Sequence, residues 1–352
     1  MGSEVSATKK INLVEVASGF LLVVLFSLTL KTLDFLFMPL CLALLLCYAF
    51  GIPLDFLERL HVPSWLRIVL TVLIVLAVFY LLGRLVVYNA MAFEARLPEF
   101  EEKFWRYANN SLSFFNITQQ EAKEVIDAFW GNLSKTGLKP VGTVVQKVGQ
   151  SFFDILGNTI WVLLFMLFIL AEKGSFTRRV VKSFGEDRAE NILTTTARIN
   201  KSVQQYLGLK TLVSFITGAL VAMALWLLGV PFALLWGVLA FMLNYIPNIG
   251  SLVASIPPIA IALFQFGSIG KTLVVAAAIT IIQFCVANFL EPKLMGRGLN
   301  LSPLVVLLAL VFWGWMWGVI GMLLSVPLTA AMKIALEEVE VTRPIAMLIS
   351  GE

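Results

Sequence analysis

The sequence is short of the residues on which most enzyme chemistry rests. Its 352 residues include one histidine and three cysteines, and only 14% are charged. The single histidine, His61, sits in a short loop between apolar runs and can complete neither a Ser-His-Asp constellation nor a metal-ligand set. A paired-aspartate protease needs aspartates in mid-span, and no apolar run holds one there. No glycine loop is followed by a lysine to cradle nucleotide phosphates, which argues against an ATP-driven pump. No basic surface is available for nucleic acid. Cys41, Cys47 and Cys285 fall in apolar runs, where a thiol behaves as a small hydrophobe, so neither a disulfide framework nor a cofactor is expected.

What the chain has in excess is apolar surface. It is 59% hydrophobic with a mean hydropathy of +0.90, against about 45–50% apolar for an ordinary globular domain. Runs approaching or exceeding the roughly 20 residues of a membrane span fall at 13–31, 35–54, 66–90, 152–171, 208–229, 231–267, 271–290 and 302–336. The fold class expected is all-α and polytopic, with about eight hydrophobic segments. The first run is long and lacks a small-x-small cleavage site, so it reads as a span and not as a leader. The second and third flank a short loop bracketed by Pro53 and Pro63, and Lys31-Thr32-Leu33-Asp34 makes a tight hairpin of the first two.

Two of the eight runs are interrupted. The run 231–267 is cut by Tyr245-Ile246-Pro247-Asn248-Ile249-Gly250, and a proline there removes a helical donor and disfavours the helical region for its neighbour. The run 302–336 would be about 50 Å long as a straight helix, against a hydrocarbon core of about 30 Å, so it must fold back. Non-helical backbone at membrane depth survives only where protein or a cavity lines it. The two interruptions also echo each other. Pro231, Gly250 and Pro257 are spaced by nineteen and seven residues, and Pro303, Gly321 and Pro327 by eighteen and six. Each follows one complete span, so the two enter from opposite sides, as in an inverted repeat around a transport site.

Charge sets the orientation. The connection 172–201 carries seven basic and four acidic residues, whereas 91–154 carries seven basic and eight acidic. Basic excess marks the cytoplasmic side, and counting spans from Lys9 and Lys10 agrees. Both termini are then cytoplasmic. The expected organisation is a membrane scaffold over 1–90 and an extracytoplasmic insert over 91–150. The fourth span and a basic helical connection cover 151–207, a transport domain covers 208–336, and a cytoplasmic tail covers 337–352. The insert reads as two amphipathic helices, about 97–112 and about 118–134, the second opening with the capping box Thr118-Gln119-Gln120-Glu121.

The candidate substrate-binding residues are those a broken helix exposes. Asn244, Asn248 and Ser251 are the polar groups at the first break, where Pro247 and Gly250 shape the turn. In hydrocarbon their amides and hydroxyl must bond the freed backbone or a ligand. Gln283 lies near mid-span with no local reason to be there, and Asn288 follows five residues on. Gly318, Gly321, Ser325 and Pro327 hold the corresponding places at the second break. Glu291 is the one carboxylate near this half of the membrane core. It is either a helix-terminal group paired with Lys293 or Arg297, or an ion-coupling group for sodium or protons. Trp313, Trp315 and Trp317 either wall a ring-shaped solute or pack into the bundle.

These residues carry a resemblance. The run from Tyr245 to Gly250, Pro257-Pro258, Glu291-Pro292-Lys293-Leu294-Met295-Gly296, Leu301-Ser302-Pro303-Leu304, Gly318 to Gly321 and Ser325-Val326-Pro327 resemble, in order, the autoinducer-2 exporter family of bacterial transporters. The resemblance spans nearly the whole chain. It implies an inner-membrane secondary transporter exporting a small polar organic solute such as a quorum-sensing signal. It also implies an elevator-like moving domain and a homo-oligomer, with five as the implied number. The alternatives are a sodium(lithium)/proton antiporter and a membrane scaffold protein that transports nothing. Membrane lipid is the other expected partner.

Overall fold

The computed structural model describes residues 13–50, 61–112, 141–247, 249–295 and 299–351. Apart from an isolated antiparallel bridge between Leu301 and Ser350, the regular elements among them are helices. We number them α1 (Leu13–Thr32), α2 (Asp34–Ala49), α3 (Ser64–Leu112), α4 (Val141–Phe184), α5 (Glu186–Leu227), α6 (Ala233–Leu243), α7 (Ile249–Phe266), α8 (Ile269–Met295), α9 (Pro303–Glu337) and α10 (Arg343–Ile349). The expected all-α polytopic architecture is what is found.

Several boundaries differ from the reading of the sequence. Five described helices are long and apolar enough to cross a membrane, or seven if each bent pair is taken as one span, where eight segments were expected. Eight becomes seven because the first two runs form one of the bent pairs. The segment Val24–Thr32 of α1 meets α2 at 90°, an elbow and not the tight hairpin that a four-residue linker led us to expect. The α6 arm, at 11 residues, is too short to span by itself. The third span does run on as a helix, and it does so without a break. α3 has 49 residues, about 74 Å at 1.5 Å per residue, so the amphipathic helix expected at 97–112 is its continuation. Along that extension Lys103 reaches Glu99 at 2.7 Å, and its hydrogen bond and charge hold the Glu99 carboxyl below the usual range. The side chains of the apolar stripe on that helix, and the whole of the second helix at 118–134, lie outside the described residues.

The connection after the fourth span is helical, as expected. α4 bends by 64° between Thr159–Glu172 and Gly174–Phe184. Gly185, at φ 76°, turns the chain, a backbone state open to glycine at little cost. α5 then continues for 42 residues into the fifth span.

The buried residues form three clusters. Ala43, Cys47, Val75, Val162 and Met166 join α2, α3 and α4. Val221, Leu225, Trp236, Ala254, Ile261 and Ile279 are part of a second cluster that joins α5 to α6, α7 and α8. Leu30 of α1 forms the third with Ala309, Trp313, Met316, Trp317 and Leu324 of α9. The third cluster crosses the boundary expected between scaffold and transport unit.

α5 and α6 meet at glycine. A methyl group added to Gly218 would lie 2.6 Å from the Gly237 carbonyl oxygen and 2.9 Å from the Phe241 Cβ, and one on Gly237 would meet the Gly218 carbonyl at 2.6 Å. Small residues let membrane helices approach to backbone contact. Gly218→Val is therefore expected to cost about 1–3 kcal/mol through overpacking. The check is the melting temperature of the purified protein; an unchanged value would contradict the close approach.

Candidate functional site

Both interrupted runs are hairpins. In the first, α6 ends at Leu243 and α7 begins at Ile249. The Gln265 side-chain amide, at the far end of α7, donates to the Gly229 carbonyl at 3.0 Å, ahead of α6. In the second, the helix breaks at Trp317 (φ −129°) and Gly318 (φ 62°). The Trp313 indole donates to the Thr329 hydroxyl at 3.2 Å, although sixteen residues of straight helix would separate them by about 24 Å. The chain has reversed between them.

The two tips are built alike. A methyl group added to Gly250 would run into the carbonyl of Leu243 and lie 3.2 Å from the Ile246 Cβ; one added to Gly321 would run into the carbonyl of Trp313 and lie 3.2 Å from the Trp317 Cβ. Each hairpin thus seats its second arm on a carbonyl in the last turn of the first, a contact that only glycine permits. The echo first seen in proline and glycine spacing recurs as geometry.

Both hairpins pack on α5. α5 presents Tyr206, Lys210, Ser214 and Thr217 at intervals of four, four and three, which puts them on one helical face. Ser214 is 0% exposed and Lys210 3%. Against this face the first break brings its polar groups. The Asn244 amide donates to the Ser214 hydroxyl at 3.0 Å, and the Tyr245 hydroxyl donates to Thr211 Oγ1 at 2.7 Å. From α8, the Gln283 amide donates to the Ser251 carbonyl at 3.0 Å and to the Ser255 hydroxyl at 2.9 Å. Gln283 therefore has a structural partner, the backbone just past the break.

Glu291 lies at the end of a π turn, Val286–Leu290, inside α8, and meets Lys210 of α5 at 2.5 Å. The sequence offered Lys293 or Arg297 as its partner; Arg297 lies outside the described residues, and the structure provides a lysine 81 residues earlier in the chain. Lys210 went unnoticed as one charge at the edge of an apolar run. The four-residue recurrence with Tyr206 and Ser214 was the signal that could have found it.

Other candidates are not brought together. Asn288 donates to the Phe284 carbonyl of its own helix at 2.9 Å and is exposed. Ser325 is buried, and its hydroxyl donates to the Met322 carbonyl at 2.7 Å. Gly318, Gly321 and Pro327 belong to the second hairpin, which packs on α5, α2 and α1. Pro247 sits in the turn of the first break, and Asn248 beside it lies outside the described residues. Trp313 and Trp317 pack in the core with Leu30, whose carbonyl accepts from the Trp317 indole at 3.3 Å. Trp315 stays exposed with the Lys31 ammonium 3.7 Å above its ring. Among the described residues no group of three or more His, Cys, Asp or Glu could hold a metal ion.

Comparison with known proteins agrees with this architecture. The chain is 36% identical over 295 residues to a putative transport protein of Haemophilus influenzae, covering 82% of each. It is 43% identical over 208 residues to the AI-2 transport protein TqsA of Escherichia coli, covering 59% of this chain and 60% of that one. A putative transport protein of Borreliella burgdorferi is 29% identical over 334 residues, 94% of this chain and 89% of its own. The profile described as AI-2E family transporter matches residues 19–340. With two hairpins packed on one helix, α5, and a family match over nearly the whole length, this multi-pass membrane protein belongs to the AI-2E family of transporters.

Proposed function

We propose that this transporter exports a small polar organic solute of the autoinducer-2 kind, a quorum-sensing signal, by an elevator-like alternation of the unit 208–336. The observation that carries the reading is the pair of hairpins with matching glycine-on-carbonyl tips, both packed on α5 and the first of them bonded to its buried polar face. Broken helices free backbone donors and acceptors for a solute at membrane depth. Asn244, Ser214, Thr211, Tyr245, Gln283 and Ser251 add neutral hydrogen-bonding groups at the first of them. In this reading the chain lies in the bacterial inner membrane as a homo-oligomer, a pentamer by resemblance. Its termini are cytoplasmic and 91–150 extracytoplasmic. The name borne by TqsA supports the substrate. A sodium(lithium)/proton antiporter would need a carboxylate free to exchange cations, and Glu291 is engaged by Lys210.

The test is flux of autoinducer-2 in proteoliposomes of the full chain. Gln283→Leu removes the amide that donates to the Ser251 carbonyl and the Ser255 hydroxyl, a loss of about 1–3 kcal/mol and so about 10- to 100-fold if the site is used in transport. Flux no greater than in empty liposomes would sink the substrate. Parental flux in Gln283→Leu would move the site elsewhere.

A further inference from the structure

Two buried lysines occur among the described residues, and they differ in kind. Lys333 pairs with Glu337 one turn along its own helix. Lys210 reaches across to Glu291 on another helix, and the pair is lopsided: the lysine side chain is 4% exposed and the glutamate 26%. The π turn sets this meeting. It inserts one residue into α8 immediately before Glu291; without it the residues beyond would be turned by about 100°, the angle of one helical residue. π turns gather at functional sites, and this one aims a carboxylate at a buried ammonium.

The surroundings are rich in oxygen. Tyr206 of α5 lies within electrostatic range of both Glu291 and Tyr245, and the Tyr245 hydroxyl is bonded to Thr211 on the same helix as Lys210. A carboxylate with hydroxyl oxygens near it is the set of groups a hard monovalent cation prefers. In this chain the positive charge at that place is supplied by the protein itself.

We propose that Lys210 is a positioning residue that acts as a tethered cation, holding the place at Glu291 that a sodium ion would otherwise take and so freeing this transporter from any need for sodium. The inference goes beyond the substrate reading to the energetics of the site, and only its flux arm rests on that reading. Without Lys210 the Glu291 carboxylate loses the cation that faces it from α5, a costly state that a small cation relieves.

The experiment compares melting of the purified full chain in sodium chloride and in choline chloride at equal ionic strength. The parent is expected to melt alike in both. Lys210→Met is expected to melt lower in choline and to regain several degrees in sodium, because an ion that binds only the folded state stabilises it. Lys210→Arg, which keeps a cation, and Lys210→Met/Glu291→Gln, which removes the carboxylate, are each expected to show no sodium effect. If Lys210→Met folds only in sodium the proposal stands; if it folds in neither salt, or melts alike in both, or if sodium stabilises the parent as much, it falls. In proteoliposomes, autoinducer-2 flux through Lys210→Met is expected to rise about tenfold when sodium replaces choline, a coupling of ordinary size. Should the parent move no autoinducer-2, the substrate reading fails while the melting comparison still decides the role of Lys210.

Discussion

Gly250→Val should remove transport and lower the stability of the whole chain. Even alanine at this position places its methyl group on the Leu243 carbonyl, with the Ile246 Cβ 3.2 Å away. The obstacle is backbone, so no rotamer change relieves it. Overpacking of a fitted core costs about 1–3 kcal/mol and occasionally more; valine at a hairpin tip belongs at the upper end. The consequence for function is larger than for stability, because opening the tip moves Asn244 and Tyr245 off α5 on one side and Ser251 away from Gln283 on the other. Gly321→Val is expected to do the same through the Trp313 carbonyl. Gly174→Ala is the control, since a methyl group there meets nothing within 4 Å. Gel filtration, melting temperature and proteoliposome flux report the three variants together. A Gly250→Val protein that melts and transports like its parent would mean that the tips are not closed on glycine, and the structural echo would lose its basis.

The second large effect is an asymmetry between one substitution and two. In sodium-free buffer Lys210→Met is expected to destabilise the chain by about 2 kcal/mol, below the range for a fully buried charge because Glu291 keeps 26% of its side chain exposed. Lys210→Met/Glu291→Leu should recover most of that loss, since replacing a buried ion pair with apolar groups of similar size is often neutral. The measurement is a double-mutant cycle on melting, with Glu291→Leu alone as the fourth corner. Additive losses would show that the two side chains do not act on each other.

Much of the fold could be read directly. Hydrophobic runs located the spans, and length alone required 302–336 to fold back, which the Trp313–Thr329 hydrogen bond then shows. Proline and glycine placed both breaks, and even the correspondence of Gly250 with Gly321 was visible in their spacing. These are local signals: a missing donor, a residue without a Cβ, a stretch too long for a bilayer. Each acts within a few residues of where it is written.

The site was less legible. Gln283 stood out as a polar group in mid-span, but Ser251 and Ser255 as its partners did not. Glu291 was legible but Lys210 as its partner was not, because Lys293 is near in sequence and Lys210 near only in space. The π turn that aims Glu291 leaves no mark in composition. Nor could the sequence show that the second hairpin packs Trp313 and Trp317 on Leu30 at the end of α1. The elbow between α1 and α2 follows the same logic, since a short linker fixes proximity and leaves the angle to whatever packs around it.

The sequence by itself determined that this chain is a helical membrane protein, where its helices break, and which family it belongs to. Periodicity, chain length and backbone chemistry are properties of contiguous residues. The tertiary structure alone decided that α5 turns a polar face to the first hairpin, that Lys210 answers Glu291, and that the second hairpin leans on α1. Those outcomes depend on which helix faces meet across tens of residues. Side-chain packing and the cost of an unpaired buried charge choose among them, and neither is written at any single position.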